Sequence, residues 1–138
     1  MGDDRTEATR RLIDRFYDRY TGGDQDGMLA LMADDAVVTF VGHGTFRGKG
    51  EIRPYMAWAA TQLPRLDFRV RRKIVDGEHA AVVWDETGVT KRGEPWEGRG
   101  VDVYRVADGR IVELTVHSDT DAMLRQLGPY LGSGGEAA

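Results

Sequence analysis

Three glycine-bearing dipeptides, Asp76-Gly77, Arg92-Gly93 and Asp108-Gly109, cut the second half of the chain into four strand-like runs. Such dipeptides supply the positive φ that tight hairpin turns need. Leu66 to Val75 sets Leu66, Phe68 and Val70 against Asp67, Arg69 and Arg71, the period of two of a half-buried strand. Ala80 to Thr90, Gly98 to Val106 and Ile111 to Ser118 are the runs that follow. A chain punctuated this way folds its second half as a four-strand antiparallel meander, and the first half must cover one face of it.

The first half is built for that task. Residues 5–21 predict an amphipathic helix with Leu12, Ile13, Phe16, Tyr17 and Tyr20 on one stripe, capped by Asp4 with Glu7. Gly22-Gly23 ends it. Asp24 then caps a short helix carrying Met28, Leu29 and Met32, which Asp34-Asp35 closes. Ala36 to Val41 is β-branched and aromatic, a strand, and Gly42-His43-Gly44 is a loop. Residues 50–63 predict a third helix, stopped by Pro64. Residues 119–127 predict a last one, stopped by Gly128-Pro129. The expected fold is α+β: a cone-shaped, curved antiparallel sheet with the N-terminal helices across its concave face. Residues 1–131 form one domain and 132–138, rich in small residues, a flexible tail. A bent sheet covered in this way leaves a cavity open at one end, a typical ligand site.

Composition removes several function classes. The net charge of −4, with both signs interspersed, argues against a nucleic-acid partner. The chain has no cysteine, which excludes disulfides, thiol nucleophiles and Cys-ligated zinc. No run approaches the ~20 apolar residues of a membrane span, and the charged N-terminus does not resemble a signal peptide. A cytoplasmic protein is expected. No acidic or histidine cluster has ligand spacing, so neither metal nor cofactor is expected.

A two-residue turn at Arg92-Gly93 sets the register of the middle hairpin. Paired residues then put Asp85 and Asp102 on one face, and Glu86 opposite Arg99 on the other, beside Trp84 and Val101. Two carboxyls on a cavity face can split their pKa values and supply one acid and one base. Asp102, between Val101 and Val103, is the main candidate, set against a structural aspartate paired with Arg53 or Arg47. His117 is a third candidate, since histidine is the side-chain type suited to base work near neutral pH. If the last turn has three residues, Val112, Leu114, Val116 and Ser118 share the face of Asp102 and His117 points outward. A two-residue turn, or a bulge near residue 116, brings His117 inward. The apolar run favours the outward choice. Phe16, Tyr17, Tyr20, Phe40, Tyr55, Trp58 and Tyr104, with Leu114 and Val116, suit a flat, ring-containing ligand. Val82, Trp84, Val101 and Val103 are expected to make an apolar outer face that buries itself in a homodimer.

The stretch "LIDRFYDRYTGGDQDGMLALMADDAVVTF" resembles the opening of nuclear transport factor 2-like proteins. "FRGKGEIRPYM" resembles their entry to the third helix, "VDVYRVADGRIVEL" their penultimate hairpin, and "SDTDAMLRQLG" their closing helix. The pattern is nearest to the SnoaL-like and ketosteroid-isomerase-like branches, and it implies a cystatin-like α+β roll. Among those relatives ketosteroid isomerase works with an aspartate base, a helix-one tyrosine and a protonated aspartate. The resemblance places Asp102 at the protonated aspartate, Phe16 at the tyrosine with Tyr17 one residue on, and Phe40 at the base. The acid of SnoaL-like cyclases and limonene-epoxide hydrolases falls on Val116. Two of the three ketosteroid-isomerase parts are thus missing, and the sharing of one face by Asp85 and Asp102 is what supports the expectation of a cofactor-independent enzyme of isomerase or cyclase type. Its substrate would be a hydrophobic carbonyl compound of polyketide-like character, with Asp102 as donor and Asp85 or His117 as base. The alternative is a non-catalytic protein of the same fold holding a hydrophobic metabolite.

Overall fold

The computed structural model describes residues 2–130. The proposed tail, 132–138, lies outside the described residues. Helix α1 (Gly2–Thr21) and helix α2 (Gln25–Ala30) lead into β1 (Met32–Phe40) and β2 (Gly44–Arg47). Helix α3 (Lys49–Gln62) carries the chain across to β3 (Arg65–Asp76), β4 (His79–Val89), β5 (Pro95–Ala107) and β6 (Arg110–Ser118), and α4 (Thr120–Leu127) follows. The six strands form one curved sheet in the order β2-β1-β6-β5-β4-β3. The α1 stripe of Leu12, Ile13, Phe16 and Tyr17 packs into a core with Val82, Tyr104, Ile111 and Leu114 from the sheet. The expected α+β architecture is present.

Several local features differ from the expectation. Helix α1 starts at Gly2, so Asp4 lies inside its first turn and is not the cap. Helix α2 stops at Ala30, and Met32 begins a strand. The backbone N–H of Ile111 donates to the Leu31 carbonyl and draws the chain into the sheet there. Asp24 and Asp119 do cap their helices, accepting from the N–H groups of Gly27 (2.9 Å) and Ala122 (3.0 Å). Strand β2 is not among the expected elements, which give only its Gly44, as loop, because four residues led by glycine carry no readable alternation. The sheet is not wholly antiparallel, since β1 runs parallel to β6, with Val38 beside Leu114 and Phe40 beside Val116.

The registers decide which side chains face the helices. The loop between β4 and β5 holds three residues, Lys91, Arg92 and Gly93, closed by Thr90 and Glu94 at 2.8 Å, with Gly93 at φ 81°. Val89 therefore pairs with Pro95, Asp85 with Arg99, and Asp102 with Val82. This is one residue from the expected register, and a one-residue slip exchanges faces. Asp85 moves to the outer face, while Trp84 and Glu86 move inward with Asp102. The β5–β6 turn has two residues, Asp108 and Gly109. A bulge follows between Arg105 and Val106 on one strand and Glu113 and Ile111 on the other. The bulge restores Leu114 and Val116 to the inner face and keeps His117 outside.

Candidate functional site

Between the concave face and helices α1, α3 and α4 lies a cavity of about 420 Å³. Phe16, Tyr17 and Tyr20 of α1, Phe40 of β1, Tyr55 and Trp58 of α3, and Leu114 and Val116 of β6 line it. Tyr104 does not; it is 1% exposed and sits behind Tyr17. Phe46, Phe68, Trp84 and Trp96 also line the cavity, so all three tryptophans of the chain do. Phe68 stacks on Tyr17 (5.6 Å between centroids) and meets Tyr20 edge-on (5.0 Å). A second aromatic group, Phe40, Phe46, Tyr55, Trp58 and Tyr130, packs at the other end. His43 stands against Trp58 and Tyr55 there; its Nε2 is buried without a partner, and burial lowers its pKa.

Asp102 lies on the cavity wall in the middle of β5 and is buried. Neither Arg53 nor Arg47 meets it; Arg53 pairs with Asp26. Its partners are hydroxyl and indole donors. Tyr17 Oη donates to Asp102 Oδ2 (2.6 Å) and Trp84 Nε1 donates to Oδ1 (2.8 Å). Tyr104 Oη donates in turn to Tyr17 Oη (2.6 Å). The helix-one tyrosine on this carboxyl is thus Tyr17, because Phe16 points to a different side of the stripe and meets the two tyrosine rings edge-on. Burial pushes the Asp102 pKa up, and the Tyr17, Trp84 and Tyr104 donors pull it back, to about 6. Burial and the neighbouring charge push Tyr17 far above the ordinary phenol range, so it stays a donor.

Glu86 of β4, not Asp85, is the second buried carboxyl of the cavity. It is 8% exposed, and it makes no ion pair and no hydrogen bond of good geometry among the described residues. Its Oε2 and the Trp96 Nε1 are both buried without a partner of hydrogen-bonding geometry. The indole still lies close enough to favour the carboxylate. Burial dominates, the charge of Asp102 adds to it, and Glu86 rises to about 7. Two glycines opposite make this arrangement fit. Gly98 pairs with Glu86 and Gly100 with Trp84. A Cβ on Gly98 would stand 3.2 Å from the Glu86 side chain, and one on Gly100 would stand 2.4 Å from the His117 carbonyl and 2.7 Å from the Trp84 ring. Bare backbone lets the Trp84 indole lie across β5 and reach Asp102.

The other two expected catalytic groups are elsewhere. Asp85 is on the outer face, held by Arg69 (3.1 Å) and Arg71 (2.5 Å), and the Arg71 hydrogen bond lowers its pKa. His117 is exposed on the same outer face, opposite Val101. Both placements follow from the registers above. Val82 and Trp84, expected outside, are core residues, which leaves Val83, Val101 and Val103 on the outer face. Glu86 and Trp84 escaped the sequence reading because one turn residue decides which face they occupy, and Trp96 escaped it because the strand was expected to begin at Gly98 rather than Pro95. Among the described residues no group of three His, Asp or Glu side chains is placed to hold a metal, and no helix is long and apolar enough to cross a membrane.

Residues 13–114 match the family model described as the SnoaL-like domain, and the chain belongs to that family, within the nuclear transport factor 2-like superfamily. An NTF2-like protein of unknown function from Burkholderia pseudomallei is similar in structure: 23% identity, TM-score 0.80, covering 87% of this chain and 97% of that one. A protein described as a SnoaL-like polyketide cyclase from Jannaschia sp. CCS1 is similar at 20% identity and TM-score 0.79, covering 89% and 93%. TerC, co-crystallised with polyporic acid, is similar at 20% identity and TM-score 0.78, covering 87% and 98%. No curated protein matches the sequence.

Proposed function

We propose that this protein binds a hydrophobic, ring-containing carbonyl compound in its cavity and moves a proton on it without a cofactor, as an isomerase or cyclase. One observation carries the reading: two buried carboxyls with raised pKa values, Asp102 and Glu86, share the wall of a largely aromatic and aliphatic cavity, whose lining also includes the exposed Glu97, Arg99 and Asp119. An acid and a base poised near neutrality are what proton transfer on carbon needs. The family membership and the cyclase named among the similar structures agree with it, and TerC was co-crystallised with polyporic acid. Since Trp58, Trp84 and Trp96 all line the cavity, a ring ligand should quench the intrinsic fluorescence. The bicyclic ketone 2-tetralone is expected to quench it saturably, and equally in Asp85→Asn, whose carboxyl lies on the outer face. Linear, non-saturating quenching would count against a pocket. A second reading, a binding protein without turnover, is favoured by Phe40 and Val116, which stand where the superfamily's enzymes carry acids. Binding of the ketone without proton exchange would select it.

The working form is proposed to be a cytoplasmic homodimer joined through the outer sheet face. Val83, Val101 and Val103 lie side by side there, and Val103 is 41% exposed. Light scattering at micromolar concentration should give twice the chain mass; a monomer would refute the dimer.

A further inference from the structure

The two buried carboxyls of the cavity differ in one respect. Every donor near Asp102 is already directed at it. Tyr17 takes one oxygen, Trp84 the other, and Tyr104 backs Tyr17. Asp102 is a satisfied acceptor whose oxygens hold two side chains in place. Glu86, equally buried, has only the Trp96 indole close by: neither oxygen accepts a hydrogen bond of good geometry from the protein, and its Oε2 is sealed from the surface. A buried carboxyl without a partner costs stability, and a site that tolerates the cost points to a group supplied from outside. One turn past Tyr17 on α1, Tyr20 also lines the cavity, and its hydroxyl has no hydrogen-bond partner among the described residues. It stands within electrostatic reach of Glu86, and burial keeps it protonated, an O–H donor.

Resting on the proton-transfer reading above, we infer that Glu86 and Tyr20, and not Asp102, are the groups that meet the ligand, and that the substrate class is an enolisable ring ketone. The Glu86 carboxylate takes a proton from the carbon next to the carbonyl. The C–H electron pair becomes the enolate double bond, and the carbonyl pair moves onto oxygen. The Tyr20 hydroxyl donates a hydrogen bond to that oxygen. Glu86 then returns its proton to the same or a conjugated carbon, and the carboxylate is regenerated. No other reactant is consumed. Asp102 is a positioning residue, acting through Tyr17 and Trp84. The titratable groups facing Glu86 are Asp102 from β5 and Tyr20 from α1; its neighbours across the strands are Phe68 and Gly98.

The test is exchange of the α-protons of 2-tetralone for deuterium, followed by NMR with fluorescence quenching as the measure of binding. The wild type should exceed the buffer rate, rising with pH through a midpoint near 7. Glu86→Gln keeps the shape, should still bind, and should lose ~100-fold or more of the accelerated rate along with the pH midpoint. Tyr20→Phe should lose ~10-fold to 100-fold and keep the midpoint. Asp102→Asn, checked for folding by its melting temperature, should slow exchange less than Glu86→Gln and keep the midpoint. Full exchange by Glu86→Gln, with loss in Asp102→Asn, would overturn the assignment and leave proton transfer standing with Asp102. Binding by the wild type without exchange would overturn both this assignment and catalysis, and the absence of saturable binding would overturn the pocket reading itself.

Discussion

Asp102→Leu is expected to destabilise the protein by about 3 kcal/mol. The carboxyl holds two buried donors, Tyr17 Oη and Trp84 Nε1, and a third, Tyr104 Oη, hangs on the first. Leucine removes both acceptors and leaves the donors in place. An orphaned buried donor costs roughly 1–3 kcal/mol, and relief from burying a carboxyl offsets part of that sum. Tyr17→Phe removes one of the same donors, so the double variant should be less unstable than the two single losses added. Urea denaturation of the four proteins measures both quantities. A loss below 1 kcal/mol for Asp102→Leu, or strict additivity with Tyr17→Phe, would mean that the network contributes nothing to the fold.

That network also shows what the sequence reveals and what it hides. Asp102 is legible, because a charged residue between valines in a strand has few bland explanations. The aromatic lining is legible for the same kind of reason: Phe16, Tyr17 and Tyr20 follow helical spacing, and Leu114 and Val116 follow strand spacing. The partner of Asp102 is not. Whether Asp85 or Glu86 shares its face depends on whether the loop after Thr90 holds two or three residues, and Lys91-Arg92-Gly93 suits either count. The closing hydrogen bonds between Thr90 and Glu94 are what fix three. The turn at Asp108-Gly109 has the opposite history. Its length came out one residue shorter than the run of valines suggested, yet the bulge beyond it returned Leu114 and Val116 to the expected face. Two departures cancelled there, and only one occurred between β4 and β5. Gly98 and Gly100 carry a clue to the true register. Alternate glycines on one face of a strand mark large side chains lying across from it, here Glu86 and Trp84.

Glu86→Gln should raise stability at alkaline pH and leave it nearly unchanged in acid. The unfolded chain binds the Glu86 proton with a pKa of 4.5, and burial raises the folded value to about 7. A raised pKa means that the folded form holds the proton more tightly. Below pH 4.5 both forms are protonated and the group costs nothing through ionisation. Between 4.5 and 7 the unfolded form ionises first, and stability falls steadily; above 7 both are ionised and the loss is complete. The separation of the two values corresponds to about 3 kcal/mol at pH 8. Asp102 acts with the same sign between 3.8 and about 6, and the two carboxyls interact, so the wild-type curve belongs to the pair. The contributions of His43 and Asp85 are common to both proteins, and of the two buried-carboxyl contributions the glutamine variant should keep the Asp102 part, which ends near pH 6. It should therefore match the wild type within error at pH 4.5 and exceed it by about 3 kcal/mol at pH 8. Urea midpoints at pH 4.5, 6 and 8 read this directly. Parallel curves across that range would show that Glu86 does not carry a buried, unpartnered charge, and the case for a ligand-facing base at this position would fall with it.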